Sequence, residues 1–159
     1  ARHPDRVGRT VLMGAIGTRF TMPEAFNAGH GYAPAEERMR TLLKNFTYFP
    51  ETITDEAVML RYETSMRPGY QATFEKLFPG TREQKMLAMV TPDEQIRAIG
   101  NEVLLIHGRE DRVVPTETSE RLFRLLPRAE LHMFGRCGHW SHIDQAPRFN
   151  QLVTDFYGR

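Results

Sequence analysis

The sequence predicts an α/β protein, with parallel sheet strands, flanking helices and a long helical insertion after the first strand. Three observations predict it. Val103-Leu104-Leu105-Ile106 is an unbroken apolar run closed by His107-Gly108, the pattern of a strand covered on both faces. Helix-like and strand-like stretches alternate from there to the end of the chain, as in parallel sheets. Between about Thr18 and Met89, helical spacing replaces alternation over a length too great for an ordinary crossover.

Val7–Gly14 reads as a buried strand, strongest over Thr10–Met13 and closed by glycine. The preceding Ala1–Arg6 reads as the frayed end of a helix. Thr54 caps a helix whose first turn holds Asp55 and Glu56, carboxylates that the helix dipole favours. Val58, Tyr62 and Met66 recur four apart on one face of it, and Arg67-Pro68-Gly69 ends it. Tyr70–Phe78, stopped by Pro79-Gly80, and Glu83–Val90 are further helices. Five of the eight methionines lie from Met39 to Met89, as core filler or as an adaptable pocket wall.

Thr91-Pro92-Asp93-Glu94 reads as a capping box with proline at the first helical position of a short helix closing near Gly100. Thr116 or Pro115 opens a helix bearing Leu122, Phe123, Leu125 and Leu126. Glu130–Phe134 alternates as a strand. Pro147 starts a last amphipathic helix, with Phe149, Leu152, Val153 and Phe156 on one stripe. The expected organisation is a core segment 1–17, a helical cap or lid 18–90, and a second core segment 91–159.

With 159 residues the chain is long enough for one domain with a core, and its 40% hydrophobic and 26% charged content is ordinary for a soluble globular protein. A net charge of +1 with scattered basic residues argues against nucleic acid or an anionic membrane surface as partner. No apolar run reaches the roughly 18 residues that span a bilayer. A lone cysteine, Cys137, can form no internal disulfide and fits a reducing, cytoplasmic setting. The polar start, without an initiator Met and close to a strand, is expected to belong to a longer chain.

Ligand sites of open parallel sheets sit at the carboxyl ends of strands. Two such ends carry catalytic residue types: His107-Gly108-Arg109-Glu110-Asp111-Arg112-Val113-Val114-Pro115 and Gly135-Arg136-Cys137-Gly138-His139-Trp140. A Ser-His-acid triad needs an acid that orients an imidazole and stabilises it when protonated. Asp111 and His139 lie 28 residues apart with one helix and one strand between, so both return to the same sheet edge in the chain order acid then histidine. Gly138 would allow the tight turn that presents the ring. Asp111 alone could be a turn residue. Glu110 is a rival acid expected to face away, and His107 is placed to support the acid loop. His3, His30, His132 and His142 have weaker claims, and no His/Cys/carboxylate cluster has convincing metal spacing. The nucleophile elbow Gly-x-Ser-x-Gly is missing, since Ser65, Ser119 and Ser141 are the only serines and none is so flanked. The oxyanion-hole loop that precedes the elbow is missing as well.

HGREDRVVP followed by FGRCGHW resembles the acid and histidine loops of the meta-cleavage product hydrolases, α/β-hydrolases of aromatic compound catabolism. VLMGAIG, TDEAVMLRYETSMRPG and RFNQLVTDFY are also similar, most of all to the 2-hydroxymuconic semialdehyde hydrolases. The resemblance implies the C-terminal part of an α/β-hydrolase with a helical cap insertion. It implies tautomerisation of a dienol acid, then hydrolysis of the carbon–carbon bond beside its ketone, with no metal or organic cofactor. Asp111 matches the family acid and His139 the base. Arg61, in the LRYE of the cap, matches the arginine that holds the substrate carboxylate, a role suited to a bidentate guanidinium. Trp140 and Val113 fall where the pocket is lined. The partner implied is a small dienoate, and a homo-oligomer is possible in such a family. Activity is expected to need the N-terminal half, which supplies serine and oxyanion hole, so this chain alone is expected to be inactive and to present an unpaired sheet edge. The open alternatives are a fragment of a carboxylesterase or dehalogenase-like hydrolase, and a non-catalytic module that pairs its edge with another chain.

Overall fold

The structure is a computed structural model that describes residues 3–29, 35–77 and 79–159. Three parallel strands, β1 (Thr10–Met13), β2 (Val103–Gly108) and β3 (Ala129–Phe134), form one sheet in that spatial order. Thr10 pairs with Val103 and Val103 with Ala129, so the three strands start level and end at one edge. Every residue of β2 is buried, which is why its run is apolar without alternation.

The helices are α1 (Glu24–Gly29), α2 (Glu36–Phe46), α3 (Asp55–Ser65), α4 (Tyr70–Leu77), α5 (Arg82–Ala88), α6 (Asp93–Arg97), α7 (Thr116–Leu125), α8 (Ser141–Asp144) and α9 (Ala146–Tyr157). Successive strand side chains point to opposite faces. Val103 and Leu105 pack with Ile96 of α6 and with Leu122, Leu125 and Leu126 of the α7 end. Leu104 and Ile106 pack with Phe134, Cys137 and the α9 stripe Phe149, Leu152, Val153 and Phe156. A third core joins α2 to α3 through Met39, Leu43 and Val58, and Trp140 reaches into it from the loop beyond β3. Among the described residues no helix is long and apolar enough to cross a membrane.

The segment between β1 and β2 leaves and returns at one point, because Thr91 N donates to Gly17 O at 2.8 Å. Thr54 caps α3 as expected, its hydroxyl accepting from Ala57 N at 3.2 Å. Several expectations are corrected. The first strand is shorter than Val7–Gly14, because its ladder begins where Thr10 N meets Glu102 O and Gly14 turns away at φ +52°. Residues Pro4–Arg6 form only a 3₁₀ turn. Met66 lies beyond the end of α3 and is 53% exposed, so it does not extend the buried Val58–Tyr62 face. Phe78, the expected end of α4, lies outside the described residues. The box at Thr91 is not formed: Pro92 is extended (ψ 140°) and itself caps α6, with no side-chain cap bond. The box that does form is at Thr81, whose hydroxyl accepts from Gln84 N while Gln84 Oε1 accepts from Thr81 N. Phe123 is 43% exposed and stays outside the core that Leu122 and Leu125 enter.

Candidate active site

The loops after β2 and β3 run side by side at the carboxyl edge of the sheet. Arg109 N donates to Phe134 O (2.8 Å) and Glu110 N to Cys137 O (3.0 Å). A Cβ on Gly108 would run into the backbone of Cys137 and Gly138, so only glycine lets the loops approach this closely. Glu110 does face away from the centre as expected, but it has a task there. Its Oε2 accepts from Cys137 N at 2.9 Å and pins the second loop to the first.

This stacking brings Asp111 and His139 together, with Oδ2 2.8 Å from Nδ1. The Asp111 side chain has no exposed surface, and that of His139 is 22% exposed. Oδ1 of Asp111 accepts from Val113 N (2.7 Å) and Val114 N (2.9 Å). Oδ2 also faces His107 Nε2 at 3.1 Å. Burial by itself pushes the carboxyl up, but the hydrogen bonds from His107 and His139, the charge of His139 and the Val114 N–H together bring it down to about 2. The acid is therefore a fixed anion at neutral pH. Asp111 Oδ2 engages Nδ1 of His139, and Nε2 has no hydrogen-bond partner among the described residues. An imidazole so oriented presents Nε2 for proton transfer.

The walls around the ring come from other elements. Gly14, just beyond β1, backs it: a Cβ there would lie 2.9 Å from both Nδ1 and Cε1 of His139. Phe46, the last residue of α2, also packs against the ring, with centroids 5.4 Å apart. Gly138 serves a purpose other than the expected tight turn. The left-handed residue of this loop is Arg136 (φ 53°), whereas a Cβ on Gly138 would press on Thr47 and Tyr48 backbone atoms at 2.9 Å. The α2 end is tied to the histidine loop by Asp144. Its carboxylate accepts from Thr47 Oγ1, from Tyr48 N at 2.8 Å and from Gly138 N at 2.7 Å. Trp140 N adds a bond to Phe46 O at 2.8 Å.

Arg61 of α3 is exposed and lies over the Trp140 ring, with Cζ 5.0 Å from the centroid. Among the described residues it has no carboxylate partner within ion-pair distance. Its charge reaches His142, whose pKa is lowered by burial of its inner face and then by His139 and Arg61. Trp140 is half-buried and packs edge-on against Phe46 at 5.1 Å. Val113 is buried beside Phe26 and Val114, and its demonstrable contact with the pair is its backbone N–H on Asp111. The structure thus brings Asp111, His139, Trp140 and Arg61 into one continuous chain of contacts.

Cys137 offers no substitute nucleophile. Its thiol is pushed up to about 11, first by burial, with the Asp144, Glu110 and Asp111 carboxylates adding to it. A cavity of about 580 Å³ opens away from the pair, between Arg19–Met22 and Glu83, Met86 and Leu87 of α5. Met22 and Met86 line it, whereas Met39 is core filler. Sequence reasoning missed Gly14, Phe46, Thr47 and Asp144. Each acts across a long stretch of chain, and no local periodicity marks such contacts.

Residues 1–146 match a family described as alpha/beta hydrolase fold. Among curated proteins, the 2-hydroxy-6-oxo-2,4-heptadienoate hydrolase of Pseudomonas putida strain F1 is 45% identical over 155 residues, spanning 98% of this chain and 56% of that protein. A 2-hydroxymuconate semialdehyde hydrolase of Pseudomonas putida is 43% identical, spanning 98% of this chain and 55% of its own length. The solved meta-cleavage product hydrolase CumD of Pseudomonas fluorescens superposes with a TM-score of 0.94 at 51% identity, covering 99% of this chain and 58% of that one. The chain therefore spans about half the length of the curated relatives it matches.

Proposed function

Because the chain belongs to the α/β-hydrolase fold family, we propose that it is the C-terminal portion of a serine-dependent hydrolase that cleaves the carbon–carbon bond of a 2-hydroxy-6-oxo-dienoate in aromatic catabolism. The observation that carries this reading is the 2.8 Å contact between a fully buried Asp111 carboxylate and His139 Nδ1. In this reading Asp111 fixes the imidazole and stabilises it when protonated. Nε2 of His139 takes the proton of a serine hydroxyl and returns it to the leaving carbon. Serine and oxyanion hole come from chain outside these 159 residues. Water then completes hydrolysis, giving a 2-hydroxydienoate and a smaller carboxylic acid.

Arg61 is the substrate-carboxylate anchor. A guanidinium without an acidic partner, set beside Trp140 and one residue from His139, suits a planar carboxylate. Trp140 and Val113 line the pocket. Segment 18–90 is the cap, a reading supported by the Gly17–Thr91 bond that closes its base, and 1–17 and 91–159 are core. The working enzyme includes the N-terminal half and acts in the cytoplasm.

The test is an assay of the longer protein on a ring-fission dienoate, followed by loss of its visible absorbance. Arg61→Ala should raise KM about 10- to 100-fold while kcat changes less, since hydrogen bonds to a charged group contribute about 1.5–3 kcal/mol. Unchanged kinetics on the dienoate, or equal turnover of uncharged esters, would assign the chain to an esterase instead. An intact mass of 18.4 kDa with no turnover would leave a module without catalysis of its own.

A further inference from the structure

Asp111 is held from two sides, and only one of them is the base. A carboxylate offers about four acceptor directions, two on each oxygen. Both directions of Oδ1 are taken by the N–H groups of Val113 and Val114. One direction of Oδ2 faces His139 Nδ1 at 2.8 Å, and the other faces His107 Nε2 at 3.1 Å. His107 sits near the end of β2 with no exposed surface. Its Nε2 also lies 3.0 Å from Val114 O. Two acceptors face that nitrogen, so it carries the ring hydrogen and shares it between them. Nδ1 lies 2.7 Å from Ser119 Oγ on α7, a hydroxyl that is also fully buried and donates to the ring. An imidazole and a hydroxyl in the most buried part of the sheet cost desolvation unless bonded. Here both are bonded, and the chain of bonds ends on the acid.

We propose that His107, oriented by Ser119, is a positioning residue for the acid. It occupies the second acceptor direction of Asp111 Oδ2, fixes the plane of the carboxylate and leaves the remaining direction aimed at His139 Nδ1. Ser119, His107, Asp111 and His139 thus form one file of polar contacts from α7 through β2 to the imidazole, in which His107 Nε2 is bonded to Val114 O and lies 3.1 Å from Asp111 Oδ2, and no proton moves along it. Without His107 the Oδ1 bonds remain, and the carboxylate can rock about them. The inference rests on reading Asp111 and His139 as acid and base, but its primary test does not.

Imidazole N–H resonances of this chain are recorded for the parent and for Ser119→Ala, His107→Leu and His107→Gln. The parent should show a slowly exchanging, far-downfield His139 Nδ1–H. Ser119→Ala and His107→Leu should broaden or lose it while the backbone amide spectrum stays folded. His107→Gln, whose side-chain amide can donate from nearly the same place, should restore it. In the longer protein, His107→Leu should lower kcat about 10-fold with KM little changed, the pattern of misplaced catalytic geometry. An unchanged His139 resonance in Ser119→Ala and in folded His107→Leu overturns the proposal, as does equal loss in His107→Gln. Should His107→Leu fail to fold, Ser119→Ala and His107→Gln decide. A parent that responds as expected by resonance yet cleaves no dienoate overturns the functional reading and leaves the positioning role standing.

Discussion

Gly14→Ala is the sharpest single perturbation of the site. Gly14 N donates to Ile106 O at 2.9 Å, which ends β1 against the middle strand, and the residue then turns at φ +52°. An alanine there carries two costs. A left-handed backbone costs a residue with a Cβ about 1–2 kcal/mol. The new methyl would also lie 2.9 Å from Nδ1 and Cε1 of His139 and 3.4 Å from Asp111 Oδ2. Carbon atoms pack at about 3.5–4.0 Å, so the ring must retreat by about 0.6 Å or more. Phe46 already packs against the ring, with centroids 5.4 Å apart. Together these should destabilise the chain by about 2–3 kcal/mol and lengthen the Asp111–His139 hydrogen bond. A displacement approaching 1 Å costs about 100-fold in rate when the longer protein is assayed. Urea unfolding of this chain measures the first effect, and the His139 Nδ1–H resonance reports the second. Gly8→Ala is the control, because a Cβ there meets nothing within 4 Å and the backbone is not left-handed. It should change stability by no more than about 0.5 kcal/mol. Equal stability of Gly14→Ala and Gly8→Ala, with the His139 resonance intact, would refute the reasoning.

Two further outcomes follow from the same geometry. A carboxyl at about 2 in the fold against 3.8 outside it stabilises the native state by about 2 kcal/mol at neutral pH. Because the folded value is the lower one, this stabilisation is present above about pH 4 and lost as pH falls toward 2. Urea midpoints of the parent and Asp111→Asn should therefore converge over that window, and a constant gap would contradict the assignment. Asp144→Ala removes the acceptor of Thr47 Oγ1, Tyr48 N and Gly138 N at once. At about 1–3 kcal/mol for each buried donor left without an acceptor, a loss of about 3–4 kcal/mol in thermal unfolding is expected, and a loss below about 1 would show the clamp to be dispensable.

The parts of the fold legible in the sequence are those where burial leaves a local rhythm. The run Val103–Ile106 is unbroken because both its faces are covered, the α7 leucines and the α9 stripe repeat with the helical period, and each became core. The acid and histidine were legible because both stand just beyond a strand, where the sheet itself guarantees proximity. Thr91-Pro92-Asp93-Glu94 misled because the local pattern ignores a partner far away: Thr91 spends its N–H on Gly17. Gly138 misled for the same reason, since what needs the missing Cβ is the backbone of Thr47 and Tyr48. Asp144 was invisible because nothing in its neighbourhood reveals that its three donors lie at residues 47, 48 and 138.

The acid–histidine pair draws its order from within this chain. Asp111 is hydrogen-bonded by residues 113, 114 and 139, and His107 Nε2 faces it at 3.1 Å. The histidine loop is fixed by Glu110 at Cys137, by Asp144 at Gly138 and by Phe46 at Trp140. Phe46 belongs to the segment between β1 and β2, and Asp144 also accepts from Thr47 and Tyr48 of that segment, so the α2 end cannot swing without pulling His139 with it. α3, which carries Arg61, is packed on α2 through Val58, Met39 and Leu43, with Trp140 in the same cluster, so Arg61 belongs to the same tied frame. A crosslink that froze residues 46–48 against the histidine loop should therefore leave turnover by the proposed longer hydrolase intact, because that contact already holds, and loss of turnover would mean that His139 has to move with the segment.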